Sequence, residues 1–319
     1  MNKTLFFAIL VSLFIACKKN KITGVIAEKA MVVSARKEAS KIGISILKKG
    51  GNAFDAMVAT ELALAVAYPY AGNIGGGGFM VYRKNDGDIG ALDYREKAPL
   101  NAKKDMFLDS LGNVIDGKST LGAMAVGVPG TIAGVFATHK KFGSLPMSKI
   151  LQPVIELAKR GVVVTKKQEA RIKKYQPYFK KINTSKILLD SIWKEKDTIK
   201  YIALAETLER IAINGKKEFY TGETAKRFVK FIQANGGIIT LEDLAKYEAK
   251  WRKPITFTYD DLRIISMSPP SSGGICLAQI MNGIEPFDLA SYGHNSTKTI
   301  QVIAEAERRA YADRSFFLG

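Results

Sequence analysis

A few side chains in this sequence are of types that do chemistry, and their spacing says which chemistry each can support. In "DYREKAP" (93–99) an arginine, Arg95, stands between acidic neighbours at the end of a short apolar run. A guanidinium there can hold a substrate carboxylate in a two-pronged hydrogen-bonded fork, or it can form an ordinary surface or structural ion pair. "SPPSSGG" (268–274) places Ser271 and Ser272 beside glycines. A serine nucleophile needs a base, and the chain has two histidines, His139 and His294, neither with a neighbour that would orient it. The Gly-x-Ser-x-Gly frame of a hydrolase elbow is also missing, so a Pro-Pro turn leading into a helix accounts for the segment. "AGNIGGGGFMVY" (71–82) carries four consecutive glycines, Gly75 to Gly78. A dinucleotide cradle runs strand, glycine loop, helix; here a helical run enters and a strand-like run leaves. A Walker loop needs Lys-Ser or Lys-Thr after the glycines, and phenylalanine follows instead. The remaining reading is a backbone that lets another segment approach closely. The cysteines, Cys17 and Cys276, have no histidine or cysteine neighbours at metal-ligand spacing. No metal, no cofactor and no disulfide framework is expected.

The elements that must position these groups follow from periodicity and punctuation. "MVVSA" (31–35) reads as a short strand, and residues 40–49 as a helix ended by Gly50-Gly51. Asn52, with Asp55 three residues on, reads as the capped start of a second helix, apolar on nearly all faces and therefore buried. "FMVYR" and "IGALDYRE" then form a hairpin with Asp86-Gly87 at its tip. Helices are expected over 131–142 and 147–160, with Gly161 just past the second, and a lysine-rich, helical, exposed stretch reaches about residue 200. Further helices fall near 201–213 and 221–235, and Thr240 with Asp243 caps a short helix. "PITFTY" and "LRIISM" read as strands. A helix at 275–283 and a long one through "TKTIQVIAEAERRAYADRSFF" complete the pattern, the last supported by Glu305/Arg309 and Arg309/Asp313 at helical spacing.

The composition, 47% hydrophobic and 24% charged over 319 residues, excludes disordered and fibrous classes. The net charge of +18 raises the question of an anionic partner. Twelve of the 48 basic residues are arginine, the lysines are scattered, and no nucleic-acid-binding motif is present, so nucleic acid is not the expected partner. At the N-terminus, Lys3 precedes an apolar run, Leu5 to Ala16, too short to span a bilayer comfortably, and Cys17 closes it. This resembles a bacterial lipoprotein signal, residues 1–17, with lipid attached at Cys17; ordinary secretion and an uncleaved anchor stay open. Residues 18–30 read as a linker.

The stretches "ILKKGGNAFDAMVA", "GNIGGGGFMVY", "LDYREKAP", "GVPGTIAG", "EFYTGETAKRF", "PPSSGG" and "AEAERRAYADRSFFLG", in that order, resemble the N-terminal large subunit of the gamma-glutamyltranspeptidase family, over residues 31–319. The resemblance implies an α+β fold, a four-layer αββα sandwich of the N-terminal nucleophile hydrolase type. It also implies a self-cleaving precursor whose small subunit begins with a threonine nucleophile, the threonine's own amine serving as base. The substrates implied are glutathione and other γ-glutamyl small molecules, and the γ-glutamyl group passes to water or to an amino acid or peptide. By the same resemblance Arg95 binds the substrate's α-carboxylate. The family's threonine motif is not found in these residues, and Thr138-His139, inside a predicted helix, is no substitute. The expectation is therefore a large-subunit portion without a catalytic residue of its own, inactive alone, partnered by a small subunit from the same precursor and exported to a bacterial cell envelope. Two alternatives stand beside it: a lipid-anchored half-protein that binds or assembles without catalysis, and a related acylase or poly-γ-glutamate-processing member.

Overall fold

The computed structural model describes residues 24–183 and 185–318. The signal-type segment with Cys17, and the linker up to residue 23, lie outside the described residues. The chain divides into two units, Met1–Met31 and Val32–Gly319. In the first, residues 24–31 contain no helix or strand.

The second unit begins with two packed helices, α1 (Lys37–Lys48) and α2 (Ala53–Ala67). The start of α2 is fixed as its sequence suggests. The Asn52 side chain accepts from the Phe54 and Asp55 N–H groups, and Asp55 accepts from the Asn52 N–H at 3.0 Å. Asp55 is fully buried and also accepts from the Ser144 N–H and hydroxyl, tying α2 to a loop 89 residues away. Most of α2 is buried, Val58, Leu62 and Val66 among it, while Phe54, Met57 and Leu64 on the other side are half-buried.

After a turn and the glycine run come β1 (Phe79–Arg83) and β2 (Ile89–Asp93), paired antiparallel with Val81 opposite Ala91. Next follow α3 (Thr131–Phe142), α4 (Met147–Arg160), β3 (Val162–Val163), α5 (Lys166–Ile182), β4 (Thr198–Ile199), α6 (Ile202–Asn214), α7 (Lys216–Tyr220), α8 (Glu223–Ala234) and α9 (Leu241–Ala245). The chain then forms β5 (Lys250–Arg252), β6 (Ile255–Tyr259), β7 (Leu262–Ser266), α10 (Gly273–Ile284), α11 (Leu289–Tyr292) and α12 (Thr297–Phe317). Among the described residues there are three antiparallel sheets: β1–β2–β5, β3–β4 and β6–β7. The fold is mixed α and β.

The larger core is helical, built from α1 to α4 and α6 to α8 with Ile239, Leu244 and Tyr247. A smaller one, Met80, Leu92 and Tyr94, lies under the β1–β2 hairpin. Neither draws on a residue beyond Ala249. The following segment has its own small set of buried residues, including Met267, Cys276, Ile284 and Ala310, where α10 packs on α12.

Three expectations need correction. Residues 31–35 form no strand: Val32 packs against the helical core while Val33 is 80% exposed, so the alternation is real, but among the described residues none pairs with it in a ladder. The lysine-rich region is α-helical only over α5, which buries no residue, with a short 3-10 turn at Leu188–Asp190, and β4 beyond it returns to pair with β3. On α12, Arg309 does bond Glu305 at 3.1 Å, but Asp313 accepts instead from the Gln279 side chain at 2.7 Å, a tertiary contact that outcompetes a pair within the helix.

Candidate functional site

Three of the sequence stretches converge at the end of β2. The ladder between β1 and β2 runs one pair further, with reciprocal bonds between Gly78 and Tyr94 of 3.2 and 3.0 Å. The strand predicted through Glu96 therefore ends earlier, and the chain turns away to pair Lys97 with Val128. The Gly76 carbonyl accepts from the Gly130 and Thr131 N–H groups, and the Thr131 hydroxyl donates to the Asn73 carbonyl. The start of α3 is thus joined to the glycine run.

The glycines make room for this crossing. A Cβ on Gly77 would stand 2.5 Å from the Tyr94 carbonyl and 2.9 Å from the Arg95 Cα. A Cβ on Gly78 would meet the Tyr94 ring at 2.8 Å, and one on Gly130 or Gly134 would collide with Tyr94 as well. Tyr94 fills a slot walled by glycines of two segments and is 3% exposed. Its hydroxyl donates to Glu61 on α2 at 3.1 Å. Burial pushes the Glu61 carboxyl above its usual range, partly opposed by that hydrogen bond. Burial, with the neighbouring Glu61 charge, likewise holds the Tyr94 phenol neutral.

Arg95 follows directly. Its N–H donates to Asp93 at 3.1 Å, and its carbonyl accepts from the Tyr247 hydroxyl at 2.7 Å. Asp93 is gripped in turn by Arg252 of β5, at 2.9 and 2.6 Å. The Tyr247 ring stacks on Tyr220, whose hydroxyl bridges the Pro129 carbonyl and the Ala133 N–H. The Lys97 ammonium lies over the Tyr247 ring, 4.8 Å from its centre, and donates to the Glu248 carbonyl. Burial, with Lys250 nearby, lowers its pKa.

The Arg95 backbone is therefore held on both sides while its side chain is exposed. Among the described residues the guanidinium makes no hydrogen bond and no ion pair, so the structural ion pair that its acidic neighbours offered is not formed. Asp93 is taken by Arg252 and the Arg95 N–H, and Glu96 points toward Gly76 and Gly127.

The other sequence-selected groups do not join this site. The Ser272 hydroxyl accepts from Arg314 of α12 at 3.1 Å, and Ser271 accepts from the Gly273 N–H, so both serines serve the entry to α10. His139 bonds the Leu145 carbonyl through Nε2 at 2.7 Å, and His294 is exposed in a loop. Among the described residues no serine, threonine or cysteine is hydrogen-bonded to either histidine. What this arrangement can do is bind a carboxylate through one well-held guanidinium. The partners that sequence reasoning missed are Tyr94, Tyr247 and Arg252. Gly130 and Gly134, four apart on one helix face, were a local sign of a close approach; Tyr247, 152 residues from Arg95, gave none.

Comparison with known proteins bears on the same region. A sequence model of gamma-glutamyltranspeptidase matches residues 39–319. The chain is 45% identical over 300 residues to the glutathione hydrolase proenzyme of Escherichia coli, covering 92% of this chain and 51% of that protein. The chain thus spans about half the length of the curated relatives it matches. Among solved structures it resembles Helicobacter pylori gamma-glutamyltranspeptidase, with 45% identity, a TM-score of 0.90, and coverage of 93% of this chain and 86% of that one. It also resembles gamma-glutamyltranspeptidase from Pseudomonas nitroreducens complexed with L-DON, at 41% identity, a TM-score of 0.87, and coverage of 92% and 88%.

Proposed function

The chain belongs to the gamma-glutamyltranspeptidase family, and from that premise we propose that it is the carboxylate-binding half of a gamma-glutamyltransferase or glutathione hydrolase. One observation carries the reading: an arginine whose side chain has no partner among the described residues, on a backbone pinned from both sides, where three of the family-like stretches meet. A guanidinium so held is preorganised for a bidentate grip on the α-carboxylate of a γ-glutamyl group.

The remaining half of the reaction belongs to residues outside this chain. The match to half the length of relatives named as proenzymes supports a precursor that is cut into two subunits, this one large. The second subunit then supplies an N-terminal threonine. Its hydroxyl attacks the γ-amide carbonyl while its amine takes the proton and passes it to the amide nitrogen; the leaving group departs as a neutral amine, and a γ-glutamyl ester remains for water or an acceptor amine. Arg95 does not enter the covalent steps. It fixes the substrate's far end, so that the γ-carbonyl sits at a defined distance from the nucleophile. In the same reading the β1–β2–β5 sheet is part of a four-layer αββα sandwich completed by the second subunit.

The test joins this chain to the family's second half and follows release of product from a γ-glutamyl anilide. The chain alone releases none, and the joined protein cleaves itself and turns over. Arg95→Ala then lowers kcat/KM by about a hundredfold or more, the roughly 3–5 kcal/mol expected when a carboxylate loses its partner in a closed pocket. An inert joined protein, or unchanged kinetics in the variant, overturns the reading.

A further inference from the structure

We infer that Tyr247 is a positioning residue for Arg95: its hydroxyl, by donating to the Arg95 carbonyl, sets the direction in which the guanidinium is presented. The inference rests on the reading of Arg95 as the carboxylate grip, but it concerns a different residue on a different element. Four observations carry it.

Arg95 sits past the last ladder pair of β2, so no sheet bond fixes its carbonyl. The Tyr247 hydroxyl donates to that oxygen at 2.7 Å, the usual length of a well-formed O–H···O bond. Tyr247 is itself closely packed: it is 2% exposed, its ring is stacked on Tyr220 at 5.7 Å between centroids, and the Lys97 ammonium lies 4.8 Å from its centre. It also belongs to the helical core rather than to the small core under the hairpin. Its hydroxyl therefore ties the end of β2 to the larger and more deeply packed part of the molecule.

The bond acts on direction. The carbonyl of Arg95 belongs to the peptide plane joining it to Glu96, and turning that plane rotates ψ of Arg95 and swings the chain beyond it. The Asp93 carboxylate already fixes the N–H on the other side of the same residue. With both peptide planes hydrogen-bonded, the Cα–Cβ vector of Arg95 has one orientation; with Tyr247 released, the hydrogen bond on the carbonyl side is lost and only the packing around it remains there. A guanidinium on a long side chain can still reach a carboxylate from a loosened backbone, but it has more conformations to lose on binding. The effect falls on ground-state and transition-state binding alike, so it raises KM and leaves kcat nearly unchanged.

The experiment is Tyr247→Phe, which keeps the stacked ring and removes the hydroxyl. In the enzyme containing both halves, KM for a γ-glutamyl anilide rises about five- to tenfold, the effect of one buried hydrogen bond, with kcat within about twofold. In an Arg95→Ala background the same change adds less than twofold to KM, because the group being positioned is gone. A second readout is independent of turnover. In the 319-residue chain, amide exchange in a peptide covering residues 94–98 is faster in Tyr247→Phe than in the parent, while exchange along α3 is unchanged. An unaltered KM beside an active parent overturns the inference. So does an undiminished KM effect in the Arg95→Ala background, or unaltered exchange at 94–98. Normal kinetics in Arg95→Ala alone would remove the carboxylate reading, and the exchange comparison would still decide whether Tyr247 holds the Arg95 backbone.

Discussion

The four glycines of residues 75–78 have unequal roles, and the difference is measurable. A Cβ on Gly75 meets nothing nearer than the Asn73 side-chain oxygen at 3.6 Å, an ordinary contact. A Cβ on Gly77 stands 2.5 Å from the Tyr94 carbonyl oxygen, 2.8 Å from the Glu96 nitrogen and 2.9 Å from the Arg95 Cα. Each of these is backbone, so no side chain can swing aside, and the shortest is nearly 1 Å inside ordinary contact at 3.4 Å. Neither glycine has a left-handed φ, so alanine is sterically permitted by the local dihedrals at both and the comparison isolates the crossing itself. Overpacking of this kind costs about 1–3 kcal/mol. For a unit of this size that corresponds to roughly 2–4 °C in Tm per kcal/mol. Gly77→Ala should therefore melt several degrees below the parent by calorimetry, and Gly75→Ala within about 1 °C. In the two-part enzyme Gly77→Ala should also raise KM, since the displaced atoms include the Arg95 Cα. Equal melting of the two variants would refute the claim that the run exists to admit the 94–96 backbone, and would leave a flexible loop as the better account.

Two further outcomes follow from buried carboxylates. Asp55→Ala strands four donors, the N–H groups of Asn52, Ser144 and Leu145 and the Ser144 hydroxyl, and should lower unfolding stability by about 3–5 kcal/mol in urea titrations; a loss below about 1 kcal/mol would mean the loop repacks freely. Glu61 has its folded-state pKa raised above the ordinary 4.5, so its contribution to stability is full below that value and is lost as pH rises through the folded pKa. Glu61→Gln is neutral throughout; the parent's advantage over it should shrink as pH rises above the ordinary carboxylate range, and parallel Tm curves for the two would contradict the shift.

Local features were legible in the sequence because their causes are local. The Asn52–Asp55 and Thr240–Asp243 caps, the hairpin turning at Asp86-Gly87, and the order of helix, glycine run and strand each follow from residues within a few positions of one another. The second role of each capping carboxylate was not legible. Asp55 also binds Ser144, and Asp243 also takes the Leu100 N–H at 2.6 Å. A cap explains such a residue completely at the level of sequence, so nothing signals that its remaining lone pairs are in use. The strand expected at 31–35 failed for the reverse reason: its alternation was present, but pairing depends on a neighbour that the pattern cannot specify.

The site shows the same division. Arg95 could be selected from residue type and neighbours, yet both of its acidic neighbours suggested an ion pair that does not form. Asp93 is turned to Arg252, which lies 159 residues further on, and among the described residues the Arg95 guanidinium has no pair. Glycines 77, 78, 130 and 134, together with Tyr94, form one packing unit in which each glycine is small because the tyrosine and the backbone after it are there. An arginine that must present a free guanidinium cannot be fixed by bonds to its own side chain. It has to be fixed through its backbone, by closely packed main chain on one side and by Asp93 and Tyr247 at its N–H and carbonyl. The glycine run, which by itself suggests flexibility, is in this setting part of what packs the Arg95 backbone in place.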